Sequence, residues 1–275
     1  MLTKEFFELV DPLASPRMGT ETMAPLLYQL VRFTRPKRVL EVGMGYTTPF
    51  LAQALADNHA DECAAKEQLA QKAGLLSSDV GAAESPFDRR AFAGLTKRER
   101  LSWLEAPPTL GDPGFYAGSA PPALVVIDDL SSSHAPGEKE KCVLEALCLS
   151  DYVEIHQGTF RGQALNIRSK FGDLDFIWFD CGGHEEYIDF FDEYWQILSG
   201  DGGLLLMHYT LTNLSMGAAL KEFKLRLAAR PAEAEIVSLL EPHKMMQNSF
   251  SIIRKTSTYK ERIYYEVRDI SLEKD

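Results

Sequence analysis

The 275 residues hold only four cysteines, Cys63, Cys142, Cys148 and Cys181, with no C-x-x-C pair among them. That excludes a disulfide framework and a structural zinc site, and it makes reduced thiols in a cytoplasmic setting the plain expectation. No run of about 18 apolar residues exists, so no segment is expected to cross a bilayer. The N-terminus, M-L-T-K-E-F-F-E, carries acids inside its first apolar stretch, unlike a secretory leader. Positive charge is scarce as well. Against 40 Asp and Glu stand 29 Lys and Arg, a formal net charge of −11. Such a field repels phosphate backbones and anionic lipid, so neither nucleic acid nor a membrane is an expected partner, and a small-molecule substrate is.

What is present is an ordinary globular profile, 45% hydrophobic and 25% charged. A chain of this length buries roughly three quarters of its unfolded surface, enough for one core with a cofactor-sized cleft. A single domain with an insertion follows, and a homodimer is the base-rate expectation for its assembly.

Hydrophobic spacing sets out the elements. Met23, Leu26, Leu27, Leu30 and Phe33 recur at three and four residues, predicting a helix over 21–33 that Pro36 stops. The run from Arg38 to Val42 reads as a strand, and G-M-G-Y-T-T-P reads as a tight turn into a helix running through Leu55, with Thr47 or Thr48 capping and Pro49 in its first turn. From Asn58 to residue 121 the rhythm breaks. An alanine-rich helix is predicted over 61–73, ended by Gly74, then a basic and apolar helix over 88–105 bearing Lys97, Arg98 and Arg100, then a Pro/Gly stretch from Pro107 to Pro122. This segment, 58–121, reads as a helical insertion that could act as a lid.

The rhythm resumes with A-L-V-V-I-D-D-L at 123–130. A helix over 136–149, a strand over 153–157, D-F-I-W-F-D-C-G-G at 175–183, a helix over 185–198, G-G-L-L-L-M-H-Y-T from Gly202 and a helix over 214–229 follow. Runs at 235–240 and 248–255 suit a closing hairpin, and 257–275 is a tail. Apolar strands alternating with helices predict a Rossmann-like, seven-stranded, mostly parallel sheet covered on both faces, with an antiparallel last strand. The core comprises 1–57 and 122–256.

In an open α/β sheet, ligands bind outside the carboxyl ends of the strands. At the first such end stand Glu41, Gly43 and Gly45. Two glycines allow close backbone approach, and the following helix N-terminus suits an anionic group. The third glycine of a dinucleotide fingerprint is missing, since Thr48 holds its place. Asp128 or Asp129, at the second strand end, suits ribose hydroxyls, although the span from Gly45 far exceeds the roughly 20 residues of the fingerprint, and only the insertion reconciles the two.

The ordered series E-V-G-M-G-Y-T-T, I-D-D-L, Q-G-T-F, F-D-C-G-G-H and G-G-L-L-L-M-H-Y-T resembles class I S-adenosylmethionine-dependent methyltransferases. It is most similar to the catechol O-methyltransferase-like small-molecule branch, over residues 20–57 and 123–255. The resemblance implies S-adenosylmethionine as cofactor, with Glu41, Gly43 and Gly45 around its methionine half, Thr47 as a further cofactor-binding residue and Asp128 or Asp129 on the ribose. It places Thr159 and Phe160 against the adenine and Asp180 near the methyl group. Oxygen is the implied acceptor; nitrogen or carbon methylation with a bound divalent metal, and a non-methylating nucleotide-binding α/β protein, are the alternatives.

Metal-dependent members of that branch place an Asp-Asn pair after the fifth strand, where this chain has His208 and Tyr209. Magnesium prefers oxygen ligands, so a faithful magnesium site is not expected. Two readings remain. His208 is a general base, with Asp180 and Tyr209 beside it, or Asp180, His184 and His208 bind a softer divalent ion. Trp178, Phe176 and the helical run Tyr187, Phe190, Phe191, Tyr194 and Trp195 read as core, and Cys181 shows no mark of a nucleophile. Met245, Met246 and Gln247 fall in the hairpin link, where they suit a pocket wall or a dimer contact.

Overall fold

The computed structural model describes residues 1–15, 19–76, 96–98, 121–130, 137–230, 232–245 and 247–258. The chain divides into two compact units, one comprising Met1–Asp57 and Pro122–Lys260, the other Asn58–Pro121 and Glu261–Asp275. The sheet belongs to the first.

Seven strands run in the order β3-β2-β1-β4-β5-β7-β6. They are β1 (Arg38–Val42), β2 (Ala123–Asp128), β3 (Val153–Gln157), β4 (Phe176–Phe179), β5 (Leu204–His208), β6 (Ala234–Glu241) and β7 (Asn248–Lys255). β1 to β5 are mutually parallel, and β7 lies antiparallel to both β5 and β6. The expected mixed sheet with its reversed last strand is therefore what forms.

Side chains alternate across each strand, and the two faces bury different sets. Val39, Leu124, Val126, Phe176, Trp178, Leu206 and Phe250 pack beneath the helices α1 (Lys4–Val10), α2 (Thr20–Thr34), the start of α3 (Thr47–Leu76) and α4 (Glu138–Ala146). Leu40, Val42, Val125, Ile127, Ile177, Phe179, Leu205 and Met207 pack against α5 (Ala164–Phe171), α6 (His184–Tyr194) and α7 (Leu214–Ala228). Burial on both faces explains why the strands read as continuous apolar runs.

Two differences from the expected elements have local causes. The helices predicted at 47–55 and 61–73 are one helix, α3, because no proline or glycine interrupts residues 50–73 and alanine propagates the helix; Gly74 lies within it. The short α1 was not anticipated. Thr3 caps it by accepting the Phe6 N–H at 3.1 Å, and Phe6 and Val10 are buried. Of the helix predicted over 88–105 only 96–98 are described, and the tail beyond Thr258 and Met246 lie outside the described residues, as does most of the lid segment. Among the described residues, no helix is long and apolar enough to cross a membrane.

Candidate active site

Parallel register brings the strand ends together. Val42 is level with Ile127 and Phe179, and Phe179 with Met207, so the next positions of β1, β2, β4 and β5 form one edge. Gly43 N–H donates to the Ile127 carbonyl and Asp180 N–H to the Val42 carbonyl, both at 3.0 Å, which extends the ladder into the loops. Alternation then decides what that edge displays. Glu41, Asp128, Asp180, His208 and Asn248 each lie two positions from Val39, Val126, Trp178, Leu206 and Phe250, so all five fall on the face that α1 to α4 cover.

The first loop is held tightly. Gly43 adopts φ +100°, and a Cβ there would stand 2.7 Å from the Asp180 carbonyl oxygen, so glycine is required both by conformation and by space. Asp128 accepts the Met44 N–H at 2.6 Å and the Leu130 N–H at 2.5 Å. Thr48, at the start of α3, accepts the Gly45 N–H at 3.0 Å. Among the described residues, no heavy atom beyond its chain neighbours lies within 4 Å of the Cβ position of Gly45, so the loop opens there.

Glu41 is wholly buried beneath that loop. Its Oε1 accepts the Thr47 hydroxyl at 2.5 Å, while Oε2 has no hydrogen-bond partner among the described residues. Burial lifts its carboxyl to about 8 against the opposing hydroxyls of Thr47 and Thr48, and the negative charges of Asp180 and Asp128 lift it further.

Across the edge, His208 has no exposed surface. Its Nδ1 lies 2.6 Å from Asp180 Oδ1 and its Nε2 lies 2.5 Å from Asn248 Oδ1. The ring packs against Tyr209, stacked at 3.7 Å and 21°, and lies near the indole of Trp178, tilted at 43° with centroids 5.3 Å apart. Tyr187, from α6, donates its hydroxyl to the His208 carbonyl at 2.9 Å. Asp180, partly exposed, uses Oδ1 for this pair, and its Oδ2 has no side-chain partner among the described residues.

Several expected site residues stand elsewhere or do other work. His208 was read as a base facing substrate, but both its ring nitrogens are engaged and it is sealed from the cleft. Tyr209 is half-buried, and burial together with Asp180 and Glu21 raises its hydroxyl to about 12, which disfavours it as a base. Phe160 was expected against adenine. Its ring is instead buried edge-on to Phe179 and Phe190, at 5.5 and 5.4 Å, because an apolar core lies directly beneath its loop; Thr159 remains exposed there. His184 opens α6 and faces Glu222 at 3.7 Å. Among the described residues, no three His, Cys, Asp or Glu groups gather as a metal cage, so the set of Asp180, His184 and His208 does not form. Burial raises the Cys181 thiol to about 12, in keeping with an inert cysteine. Asn248 was missed. The signal available was the hairpin itself, since β7 sets Phe250 level with His208 and Asn248 two residues beyond.

No protein-family model matches the chain, and no curated protein matches it. Solved structures do. An O-methyltransferase from Bacillus cereus in complex with SAH is 15% identical, with 93% of this chain and 92% of that one covered at a TM-score of 0.56. The O-methyltransferase TomG from Streptomyces achromogenes, involved in tomaymycin synthesis and in complex with SAM, is 15% identical over 93% and 91% at 0.53. The SAH-bound methyltransferase PaMTH1 of Podospora anserina is 15% identical over 92% and 88% at 0.50. The chain thus has the Rossmann-like fold found in class I O-methyltransferases, along nearly its full length.

Proposed function

We propose that the chain is an enzyme that transfers a methyl group from S-adenosylmethionine to the oxygen of a small-molecule acceptor. One observation carries this reading. At the carboxyl edge of the sheet, a buried carboxyl oxygen of Glu41 lacks a donor among the described residues, directly beneath a glycine turn that opens outward at Gly45. An ammonium group supplies that donor, and the turn admits the chain that bears it. S-adenosylhomocysteine in the Bacillus cereus structure and S-adenosylmethionine in the Streptomyces achromogenes structure have such an ammonium group, and both proteins share this fold.

Bound there, the cofactor would supply an electrophilic methyl group to the acceptor oxygen, with the electron pair of the C–S bond left on sulfur. The chain's own residues hold and orient. Glu41 takes the ammonium group. Asp128, its oxygens occupied by the Met44 and Leu130 N–H groups, shapes the loop. The exposed Asp129, at the same strand end, takes the ribose hydroxyls. Asp180 Oδ2 accepts the proton of the acceptor hydroxyl, as a positioned carboxylate base.

Calorimetric titration with S-adenosylhomocysteine tests this. Wild type is expected to bind in the micromolar range and Asp129→Ala roughly 10- to 100-fold more weakly, the loss of charge-assisted hydrogen bonds. Absence of heat and of any thermal shift in the wild type overturns the reading.

A further inference from the structure

The metal-dependent branch that the sequence resembles implies a divalent ion between the ends of β4 and β5. The donors at that place do not fit one. The orientation of the Asn248 amide is set from two sides, because its Nδ2 donates to the Gly19 carbonyl and its Oδ1 also accepts the Ser249 N–H at 2.9 Å. The oxygen therefore faces His208, and an oxygen only accepts. Nε2 must bear a hydrogen, and a nitrogen bearing a hydrogen has no lone pair for a metal. On the other side of the ring, Nδ1 meets a carboxylate oxygen at 2.6 Å, a distance that also requires a proton between them. Tyr209, in place of an amide, lies flat on the ring.

We infer that His208 is held as a doubly protonated imidazolium, fixed between Asp180 and Asn248, and that this built-in cation stands where the metal-dependent branch that the sequence resembles implies a metal ion. Three features of the surroundings favour the charge. The π face of Tyr209 lies on the ring, an arrangement that attracts a cation, and the Trp178 indole lies tilted beside it, 5.3 Å away. Asp128 and Asp180 place two carboxyl groups on the same face of the sheet edge. The contacts to Asp180 and Asn248 hold the ring from both nitrogens, and its lack of exposure keeps water from replacing either partner. Asn248 is then a positioning residue that acts through His208. The pair leaves Asp180 aimed, with Oδ2 turned away from the ring to take the acceptor proton. This role rests on the methyltransferase reading; the charge state does not.

Nuclear magnetic resonance of the full chain labelled with 15N-histidine tests the charge state without any turnover. Both ring nitrogens of His208 are expected to carry protons at neutral pH. The signals are identified by their loss in His208→Gln or, should that variant not fold, by their proximity to Tyr209 and Trp178. A ring with one bare nitrogen overturns the inference. Asn248→Asp, which keeps an acceptor oxygen, is expected to preserve the doubly protonated ring, whereas Asn248→Leu is expected to lose the Nε2 proton signature while S-adenosylhomocysteine affinity stays within about threefold. An Asn248→Leu protein that folds and retains both protons also overturns the positioning role. Titration with Mn2+, followed by electron paramagnetic resonance, is expected to show no ion held by Asp180; one ion per chain, lost in Asp180→Ala, overturns the substitution of cation for metal. Failure of S-adenosylhomocysteine to bind, with His208 still doubly protonated, removes the methyltransferase reading and leaves the charge assignment standing.

Discussion

Glu41 is the residue whose chemistry is least like its unfolded self. Its carboxyl sits at 4.5 in the unfolded chain and about 8 in the fold, because burial disfavours the ion. The protein therefore binds a proton there that the unfolded chain has already lost. The stability associated with the neutral carboxyl is fully present below about pH 4.5 and is lost as pH rises through about 8. Chemical denaturation of the ligand-free protein is expected to show that decline between pH 5 and 8, and Glu41→Gln to flatten it. The bound ammonium group reverses the preference by pairing with the ion. Binding of S-adenosylhomocysteine at pH 7 is then expected to release close to one proton, so its apparent enthalpy should change between buffers of different ionisation enthalpy. An enthalpy independent of buffer would mean that Glu41 is not the amine's partner.

Gly43 belongs to the same scale. At φ +100°, with the Asp180 carbonyl oxygen 2.7 Å from where a Cβ would sit, Gly43→Ala strains the backbone and pushes β1 from β4. A loss of about 1–3 kcal/mol is expected in urea unfolding, together with weakened cofactor binding. A variant of wild-type stability would show that the loop tolerates the side chain.

Among the elements, those that bury two faces were the legible ones. β1, β2, β4 and β5 announced themselves as apolar runs ending in Gly or an acid, and α2 as a three- and four-residue stripe, because their burial is written in each segment's own residues. Strand order also placed Glu41, Asp128, Asp180 and His208 on one edge. What a segment does not encode is which neighbour arrives from far along the chain. Asn248 lies 40 residues from His208, and its meeting with Nε2 depends on β7 turning back against β5. Without that contact His208 reads as a base. Phe160 fails for the related reason that whether a loop aromatic faces ligand or core depends on α6, whose Phe190 and Tyr194 reach it. A core role gives a clear expectation. Phe160→Ala should lower stability by about 3–5 kcal/mol, as for a buried aromatic, while the folded protein binds S-adenosylhomocysteine within a few-fold of wild type. A large affinity loss at little stability loss would return Phe160 to the adenine.

At the scale of the molecule, the edge proposed to hold the ligand is assembled from positions far apart in the chain, Glu41, Asp128, Asp180 and His208, at the ends of four adjacent parallel strands. A ligand that contacts the ends of β1 and β2 is bound by the folded sheet and not by the unfolded chain, whose groups are dispersed. Binding therefore adds to the stability of the sheet-bearing unit by mass action. At a free concentration of 100 times Kd the gain is about 2.7 kcal/mol. For a chain of this size that corresponds to a rise of roughly 5–10 °C in unfolding temperature. S-adenosylhomocysteine is expected to produce this rise in scanning calorimetry, and to produce it equally with magnesium added or with a chelator, since the cation at the strand edge is His208. The shift should shrink in Glu41→Gln and Asp129→Ala, which remove contacts to the ligand, and persist in Asn248→Asp, which removes none. A shift that appears only with magnesium would place a metal in the site and return the imidazole to the role of a ligand.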